Sequence, residues 1–189
     1  MAVVSLLPDL EAGQTQFLLD TNFLFIVFGN AEASSKNINR QKKYLDFLST
    51  AKGKDFSLYV TSFALSEFVN RSLRKQFDDW KRQPGNSGKD FKVDFRPSKE
   101  CKAFLSGPLK AYLNEITSIC QEIGDEFDSY KKEDYFPYLS ELDFNDSLFA
   151  HVATIKKLAL VTEDRDFTAP PFAKLSVVTA NDTLYRSRN

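Results

Sequence analysis

The sequence predicts an α/β protein, a three-layer α/β/α sandwich around a central, mainly parallel sheet. Short, continuously apolar segments alternate along the chain with longer segments whose apolar residues recur at helical spacing. Strands that are apolar on both faces are typical of parallel sheets covered by helices on both sides. The length of 189 residues suits one core, so we expect residues 1–189 to form a single domain.

Four segments have the composition of short buried strands. They are FLLD at 17–20, FSLYVT at 56–61, ALVT at 159–162 and SVVT at 176–179. Each is rich in aliphatic, β-branched or aromatic residues. Because helical segments separate them, we expect these strands to pair in parallel.

Helical spacing predicts the first two connections. NFLFIVF begins a helix directly after the first strand. Residues 38–51 form a second helix with one apolar stripe. The predicted stripe consists of Ile38, Tyr44, Leu45 and Leu48.

A long amphipathic helix follows the second strand. Thr61 or Ser62 is its expected N-cap, and its apolar residues recur at helical intervals. They are Leu65, Phe68, Val69, Leu73, Phe77 and Trp80. Further along, Ser98 is expected to cap a helix that runs to about Gly124, and an acidic helix or loop follows it. Residues 143–158 form the last amphipathic helix.

The turn formers QPGNSGKD at 83–90 interrupt this pattern, and we expect a surface insertion at about 81–97. QPGNSGKD is not a phosphate-binding loop, because its glycines stand too close together, Asp90 replaces the required Ser or Thr, and no strand precedes it. The chain also contains no Gly-x-Gly-x-x-Gly, which argues against a dinucleotide-binding fold.

Composition indicates a globular protein of a reducing compartment. Hydrophobic residues make up 42% of the chain and charged residues 27%, which excludes disordered and fibrous classes. Cys101 and Cys120 are too few for a disulfide framework, and no Cys-x-x-Cys suggests zinc or thiol redox chemistry. MAVVSLLPDLEAG lacks the features of a secretory signal, and FLLDTNFLFIVFG is too short for a membrane helix. We therefore expect a cytoplasmic protein with no membrane partner.

Acidic side chains occupy positions that a parallel sheet brings to one edge. Asp20 ends the first strand, and Asp164 and Asp166 follow ALVT. Glu67 lies early in the helix after the second strand, on a face away from much of its apolar stripe. Asp146 occupies the first turn of the last amphipathic helix. Because ligands of such folds lie outside the carboxyl ends of the strands, we expect the functional site there.

Converging carboxylates repel one another and raise one another's pKa, so such a cluster is unfavourable unless a cation occupies it. Oxygen ligands, a single His and no paired Cys favour Mg²⁺ or Mn²⁺ over Zn²⁺. A metal held in this way polarises a phosphoryl oxygen and activates water. The pattern therefore indicates phosphodiester hydrolysis.

Four segments in chain order resemble the signatures of PIN-domain ribonucleases, a family that includes the toxins of many bacterial toxin–antitoxin pairs. They are FLLDTN, TSFALSEFVNR, DFNDSLFAHVA and LVTEDRDF. The resemblance spans about residues 17–180, and the stretch at about 81–97 has no counterpart. It implies a PIN-like nuclease domain that cleaves RNA with Mg²⁺ or Mn²⁺, forms a homodimer and is inhibited by a cognate antitoxin.

The resemblance also implies roles for individual residues. The catalytic, metal-binding carboxylates are Asp20, Glu67, Asp146 and Asp164, and a further metal ligand is Asp166. The supporting polar residues are Thr21, Asn22 and Thr162. We expect Asp20 and Asp146 to hold the principal ion, with Glu67 bound to it directly or through water. Asp164, helped by Asp166, completes the site or recruits a second ion.

Basic and aromatic residues are interleaved from about 71 to 96. Arg71, Arg74, Lys89 and Lys92 are candidates for contacts with nucleic-acid phosphates, with the aromatic residues stacking on bases as in single-strand binders. Alternatively, the aromatic residues pack against the domain and the charges are solvated. A third alternative is that this segment docks an acidic or apolar part of an antitoxin.

Two other functions remain open. A structure-specific DNA nuclease would share a similar acidic site, and no residue is identifiable as a reader of the 2′-hydroxyl. A non-catalytic RNA- or protein-binding module is disfavoured, because a site freed from metal binding gains by losing its repelling acids. His151 is expected to be a packed residue on an apolar helix rather than a general base. Asp143 is a helix cap, a contact of the metal ligands or a solvated residue, and we favour the cap.

Overall fold

A six-stranded, entirely parallel sheet forms the centre of the protein. The computed structural model of the chain describes residues 3–6, 13–29, 35–140, 143–168 and 175–186. The strands are β1 (Val3–Leu6), β2 (Gln16–Leu19), β3 (Ser57–Thr61), β4 (Gln121–Ile123), β5 (Ala159–Val161) and β6 (Ser176–Thr179). Their order across the sheet is β1-β6-β5-β2-β3-β4, and every pairing is parallel.

Helices cover both faces of this sheet, so the predicted three-layer α/β/α architecture is confirmed. The helices are α1 (Thr21–Phe28), α2 (Ser35–Gly53), α3 (Ser62–Lys81), α4 (Lys99–Phe104), α5 (Lys110–Ile119), α6 (Lys132–Tyr135), α7 (Phe144–Lys156) and α8 (Asp182–Arg186). π-helical turns occupy Phe91–Phe95 and Leu105–Leu109, and 3₁₀ turns occupy Phe127–Ser129, Phe136–Tyr138 and Asp166–Thr168. Within the described ranges, no helix combines the length and apolar character needed to cross a bilayer.

The two central strands, β2 and β5, position the functional edge. Their register pairs Leu19 with Val161, and the hydrogen bonding continues beyond them, because the backbone N–H of Asp20 donates to the carbonyl of Val161 at 3.1 Å. The N–H of Thr162 in turn donates to the carbonyl of Val178 at 3.0 Å. Asp20 and Thr162 therefore leave the sheet at the same carboxyl edge.

The two outermost strands were not predicted. Val3–Leu6 forms β1, which pairs with β6 at one edge of the sheet. Gln121–Ile123 forms β4 at the opposite edge, within the stretch expected to continue the helix from Ser98. Its three residues are largely exposed and two of them are polar, so β4 lacks the apolar signal by which a buried strand is recognised.

The apolar stripe predicted for α2 is partly wrong. Tyr44 and Phe47 are buried, but Ile38 and Leu45 are exposed by 53% and 46%. Phe47 packs edge-on against the ring of Phe17 in β2, with the ring centroids 5.1 Å apart. The face of α2 that meets the sheet is therefore centred on its aromatic residues.

Thr61 caps α3, as predicted, and its hydroxyl accepts a hydrogen bond from the N–H of Ala64 at 3.3 Å. The predicted stripe of α3 includes the buried residues Phe68, Leu73, Phe77 and Trp80. Burial of this stripe leaves the opposite face of the helix, including Glu67, free to border the edge of the sheet where Asp20 lies.

The aromatic residues of the basic segment pack against one another and against the end of α3. Phe91 and Phe95 belong to the stretch 81–97, yet they are 7% and 0% exposed. Their rings contact Phe77 and Trp80 of α3, with the centroids of Trp80 and Phe95 5.5 Å apart. The expectation of a purely surface insertion is therefore wrong for these two residues, which extend the core beyond the end of α3.

Candidate metal centre

Asp20 is a buried carboxylate at the junction of β2 and α1, exposed by only 3%. One of its oxygens, Oδ2, accepts a hydrogen bond of 2.6 Å from the hydroxyl of Thr162. Burial raises the pKa of Asp20 from 3.8 to about 6, the Thr162 bond opposes this shift, and the charges of Asp164 and Glu67 add to it. The ionised form of Asp20 is therefore disfavoured in the absence of a cation.

The loop after β5 carries Asp164 and Asp166 and is held by short hydrogen bonds. The N–H of Asp164 donates to the hydroxyl oxygen of Thr162 at 2.9 Å, and the N–H of Asp166 donates to Asp164 Oδ1 at 3.0 Å. The side-chain amide of Asn22 donates to Asp164 Oδ2 at 3.4 Å. Each of these bonds restricts where the Asp164 carboxylate can point.

Asp146 enters from the first turn of α7. Asp143 caps this helix, as predicted, because its carboxylate accepts the N–H of Asp146 at 2.9 Å. The small side chains of Ala150 and Ala153 are almost fully buried, so the helix packs closely on the sheet. Burial raises the pKa of Asp146 to about 8, and the negative charges of Asp143 and of the other acids of the site add to the shift.

Three carboxylates form the tightest group at this edge. Ligand oxygens of Asp146, Asp164 and Asp166 all lie within 4.8 Å of one another. The pKa of Asp166 is also raised, first by burial and then by the charge of Asp164. An all-oxygen set of anionic ligands under mutual repulsion fits a hard divalent cation such as Mg²⁺ or Mn²⁺.

Glu67 and Asp20 flank this group and do not belong to it. Glu67 accepts a hydrogen bond from the Thr21 hydroxyl at 3.0 Å, and one of its oxygens lies 4.0 Å from an Arg71 nitrogen. The charges of Asp164 and Glu67 add to the raised pKa of Asp20, and the charge of Asp20 adds to the raised pKa of Asp146. Asp166 was predicted only as a further ligand that helps Asp164, yet its carboxylate belongs to the same group as those of Asp146 and Asp164.

The four basic candidates divide into two pairs. Arg71 donates to the side-chain oxygen of Asn22 at 2.8 Å, and Arg74 lies over the ring of Phe91. Lys89 is paired with Asp94 at 3.5 Å, and Lys92 is exposed in the π-helical turn after it. Only Arg71 and Arg74 therefore border the cavity next to the acidic pocket.

A buried network behind the site was not predicted. The Tyr44 hydroxyl donates to Glu163 Oε1 at 2.6 Å, and Arg40 pairs with Glu163 Oε2 at 3.2 Å. Glu163 therefore ties the loop after β5 to α2. No local sequence signal identifies this network, because β5 ends at Val161 and Tyr44 lies 119 residues before Glu163.

His151 is packed, as expected. It is 6% exposed, and its Nε2 lies 2.9 Å from the Ser129 hydroxyl. The rings of Tyr130 and Tyr135 meet it edge-on. Cys101 and Cys120 are both buried free thiols.

Comparison with known proteins gives structural similarity at low sequence identity. No protein-family model matches the chain, and no curated protein matches it. PAE2754 from Pyrobaculum aerophilum is 17% identical, with a TM-score of 0.49 over 91% of this chain and 88% of that chain. VapBC2 from Rickettsia felis, in a crystal structure bound to a DNA fragment from its promoter, is 15% identical, with a TM-score of 0.48 over 86% of this chain and 97% of that chain. The chemistry of the site therefore rests on its own residues.

Proposed function

We propose that the protein is a metal-dependent nuclease that hydrolyses phosphodiester bonds in RNA. The observation that carries the proposal is the group formed by Asp146, Asp164 and Asp166, whose ligand oxygens lie within 4.8 Å of one another beside the buried Asp20. The resemblance of the sequence to PIN-domain ribonucleases supports RNA as the substrate and Mg²⁺ or Mn²⁺ as the ion.

Each acid has a distinct task in this proposal. Asp146, Asp164 and Asp166 hold the ion through carboxylate oxygens, and Asp20 adds negative charge from the sheet side. Glu67, which is already hydrogen-bonded to Thr21, orients a water molecule at the pocket. A bound divalent ion would supply a polarised phosphoryl oxygen and an activated water.

The neighbouring polar residues keep this arrangement in place. Thr162 fixes Asp20 through its hydroxyl and fixes the start of the next loop through the N–H of Asp164. Asn22 donates to Asp164 and accepts from Arg71, so it links the metal ligands to the cationic side of the pocket. Such outer contacts restrict the ligands to one geometry, which strengthens metal binding.

The decisive experiment measures cleavage and metal binding separately. A labelled single-stranded RNA and a DNA of the same base sequence are incubated with wild-type protein in Mg²⁺, in Mn²⁺ and in EDTA. Asp146→Asn and Asp164→Asn are compared with Asp46→Asn, which removes an exposed acid of α2 and gives the same change in net charge. Mg²⁺ binding is measured by calorimetry without nucleic acid.

We expect wild type and Asp46→Asn to cleave RNA in either ion and to stop in EDTA, and both site variants to lose cleavage and Mg²⁺ binding. Cleavage that persists in EDTA would contradict a metal-dependent mechanism. Faster cleavage of the DNA would favour the structure-specific DNA nuclease. Mg²⁺ binding without cleavage of either strand would favour a non-catalytic module.

We also propose that the protein forms a homodimer and binds a cognate antitoxin. Both proposals rest on the resemblance of the sequence to PIN-domain ribonucleases. Light scattering of the purified chain measures the first, and we expect twice the mass of 21.6 kDa. Co-purification with the product of a neighbouring short reading frame tests the second, because an antitoxin should bind tightly and stop cleavage.

A further inference from the structure

A groove of about 650 Å³ opens beside the metal ligands, between α1 and the exposed face of α3. We call it the α3 groove. Its α1 wall is formed by Asn22, Phe25 and Ile26, and the opposite wall includes Arg71 and Arg74 of α3 and the C-cap residue Arg82. Because Asn22 also donates to Asp164, the groove begins where the acidic pocket ends.

Cationic side chains outnumber carboxylates in the lining of the α3 groove, five to three. Two of the three carboxylates are already engaged by cations of the groove. Asp79 pairs with Lys75 at 3.1 Å and with Arg82 at 3.4 Å, and Glu163 pairs with Arg40 at 3.2 Å. The groove therefore carries net positive charge directly beside a strongly acidic pocket.

Arg74 is the groove cation best suited to an incoming anion. Its guanidinium lies 4.0 Å from the centroid of the Phe91 ring, which holds it in place without neutralising it. Among the residues that the structure describes, no carboxylate lies within ion-pair distance of Arg74. A phosphate at this position would therefore gain a charge-assisted contact and displace no internal ion pair.

The cations follow the helix axis away from the metal centre. Arg71 stands at the junction, where it donates to Asn22 at 2.8 Å. Arg82 is eleven residues further along, at the C-terminal end of α3, and at the helical rise this corresponds to about 16 Å. Opposite this row, the partly buried Phe25 and Ile26 offer apolar surface, and the guanidinium of Arg71 lies over the Phe25 ring, 4.8 Å from its centroid.

We propose that the α3 groove binds a single-stranded stretch of nucleic acid on one side of the bond to be cleaved. Phosphates contact Arg71, Arg74 and Arg82 in turn, and a base lies against Phe25 or Ile26. A row of cations facing an apolar wall suits a single strand, whose bases are accessible, whereas a duplex hides its bases from such a wall. The inference rests on the proposed nuclease function and specifies the strand that the enzyme takes.

The test compares two arginines that contact the same ring. Arg96 also lies over Phe91, at 5.1 Å, but it does not line the groove. Arg74→Gln and Arg96→Gln therefore remove the same charge from beside the same aromatic ring. Binding of a fluorescent oligouridylate is followed by anisotropy in EDTA at several salt concentrations, so that the result does not depend on cleavage.

We expect Arg74→Gln to bind roughly three- to tenfold more weakly than wild type, with the slope of log affinity against log salt shallower by about one. Arg96→Gln should match wild type in both respects. The uridylate should also bind more tightly than its duplex with oligoadenylate. Circular dichroism of both variants establishes that they are folded.

Three results would overturn the inference. One is equal affinity and slope for Arg74→Gln and wild type, and another is tighter binding of the duplex than of the single strand. The third is binding of polyglutamate with no binding of oligouridylate, which would assign the groove to an acidic protein segment. These binding measurements are made without metal, so they test the groove and not the chemistry. A failure of the proposed nuclease activity would show only in the cleavage assay.

Discussion

The hydroxyl of Thr162 lies 2.6 Å from Asp20 Oδ2 and donates a hydrogen bond to it. Both side chains are buried, and they come from adjacent parallel strands that end at the same edge. The same hydroxyl oxygen accepts the N–H of Asp164. A single side chain thus fixes one carboxylate and the start of the loop that carries another.

Thr162→Val keeps the shape of the side chain but removes both hydrogen bonds. We expect Mg²⁺ affinity and cleavage rate to fall 10- to 100-fold, roughly the effect of losing a contact that orients a metal ligand. The free energy of unfolding should also fall by about 1–3 kcal/mol, because buried polar groups lose their partner. Calorimetry, initial rates and urea unfolding measure the three quantities.

Thr179→Val is the matched control. Thr179 ends β6, is equally buried, and its hydroxyl accepts the N–H of Asn181 at 3.0 Å. This variant should lose a similar amount of stability and retain its Mg²⁺ affinity. If both variants lose Mg²⁺ affinity to the same extent, the specific role of Thr162 is refuted.

The metal-free protein should become less stable as pH rises. Burial raises the pKa of Asp20 from 3.8 to about 6 and that of Asp146 to about 8, so the folded state binds these protons more tightly than the unfolded state. The stability that the bound protons contribute is complete below about pH 4 and is lost as pH rises through 6 and 8. In EDTA, the urea midpoint of the wild type should therefore be lower at pH 8 than at pH 5.

Asp20→Asn should reduce this pH dependence, because an amide does not ionise. At pH 8 in EDTA we expect the variant to be more stable than wild type by roughly 1–3 kcal/mol, while cleavage is lost. Asp46→Asn, which changes an exposed acid, should unfold like wild type at both pH values. A wild-type midpoint that rises between pH 5 and pH 8 would be inconsistent with burial of ionised Asp20.

Local patterns were sufficient to predict which strand ends carry acids. β2 and β5 are apolar on both faces because they lie at the centre of the sheet, and Asp20 and Asp164 follow them within three residues. The carboxyl ends of parallel strands lie at the same edge of a sheet. The positions of the two acids directly after their strands were therefore enough to predict that they lie close together. The position of Asp143 in front of a helical pattern predicted its cap in the same way.

Side-chain directions and long-range partners could not be predicted. Glu163 and Asp164 are adjacent acids, and Glu163 is held by contacts with Tyr44, 119 residues away, and with Arg40. No local pattern shows which of the two acids makes these contacts. Phe91 and Phe95 appeared to belong to a surface insertion because turn formers precede them. They are buried because they pack on Phe77 and Trp80 at the end of α3. No local sequence pattern predicts that contact.

Tyr44 provides a test of this network. Tyr44→Phe removes the hydroxyl that donates to Glu163 at 2.6 Å and accepts the N–H of Ala180 at 3.1 Å. Two buried groups lose a partner, so we expect a loss of about 1–3 kcal/mol in the free energy of unfolding. Because Glu163 adjoins Asp164, Mg²⁺ affinity should fall as well.

The control for Tyr44 is Tyr59 of β3, which is partly buried and has no side-chain hydrogen bond within the described part of the chain. Tyr59→Phe should change stability by less than about 0.5 kcal/mol and leave Mg²⁺ binding unchanged. Unfolding in urea and calorimetry apply to both variants. Equal stability of the two variants would show that the Tyr44 hydroxyl does not hold the loop.

Asp143 has two effects that substitution can separate. Its carboxylate caps α7 by accepting the N–H of Asp146, and its charge adds to the raised pKa of Asp146. Asp143→Ala removes both and should cost about 0.5–2 kcal/mol of stability, whereas Asp143→Asn retains a capping oxygen and should cost little. Both variants should lower the pKa of Asp146, measured by carboxyl titration in NMR, because the neighbouring negative charge is gone. Equal destabilisation by the two substitutions would mean that the charge, and not the cap, is what α7 requires at this position.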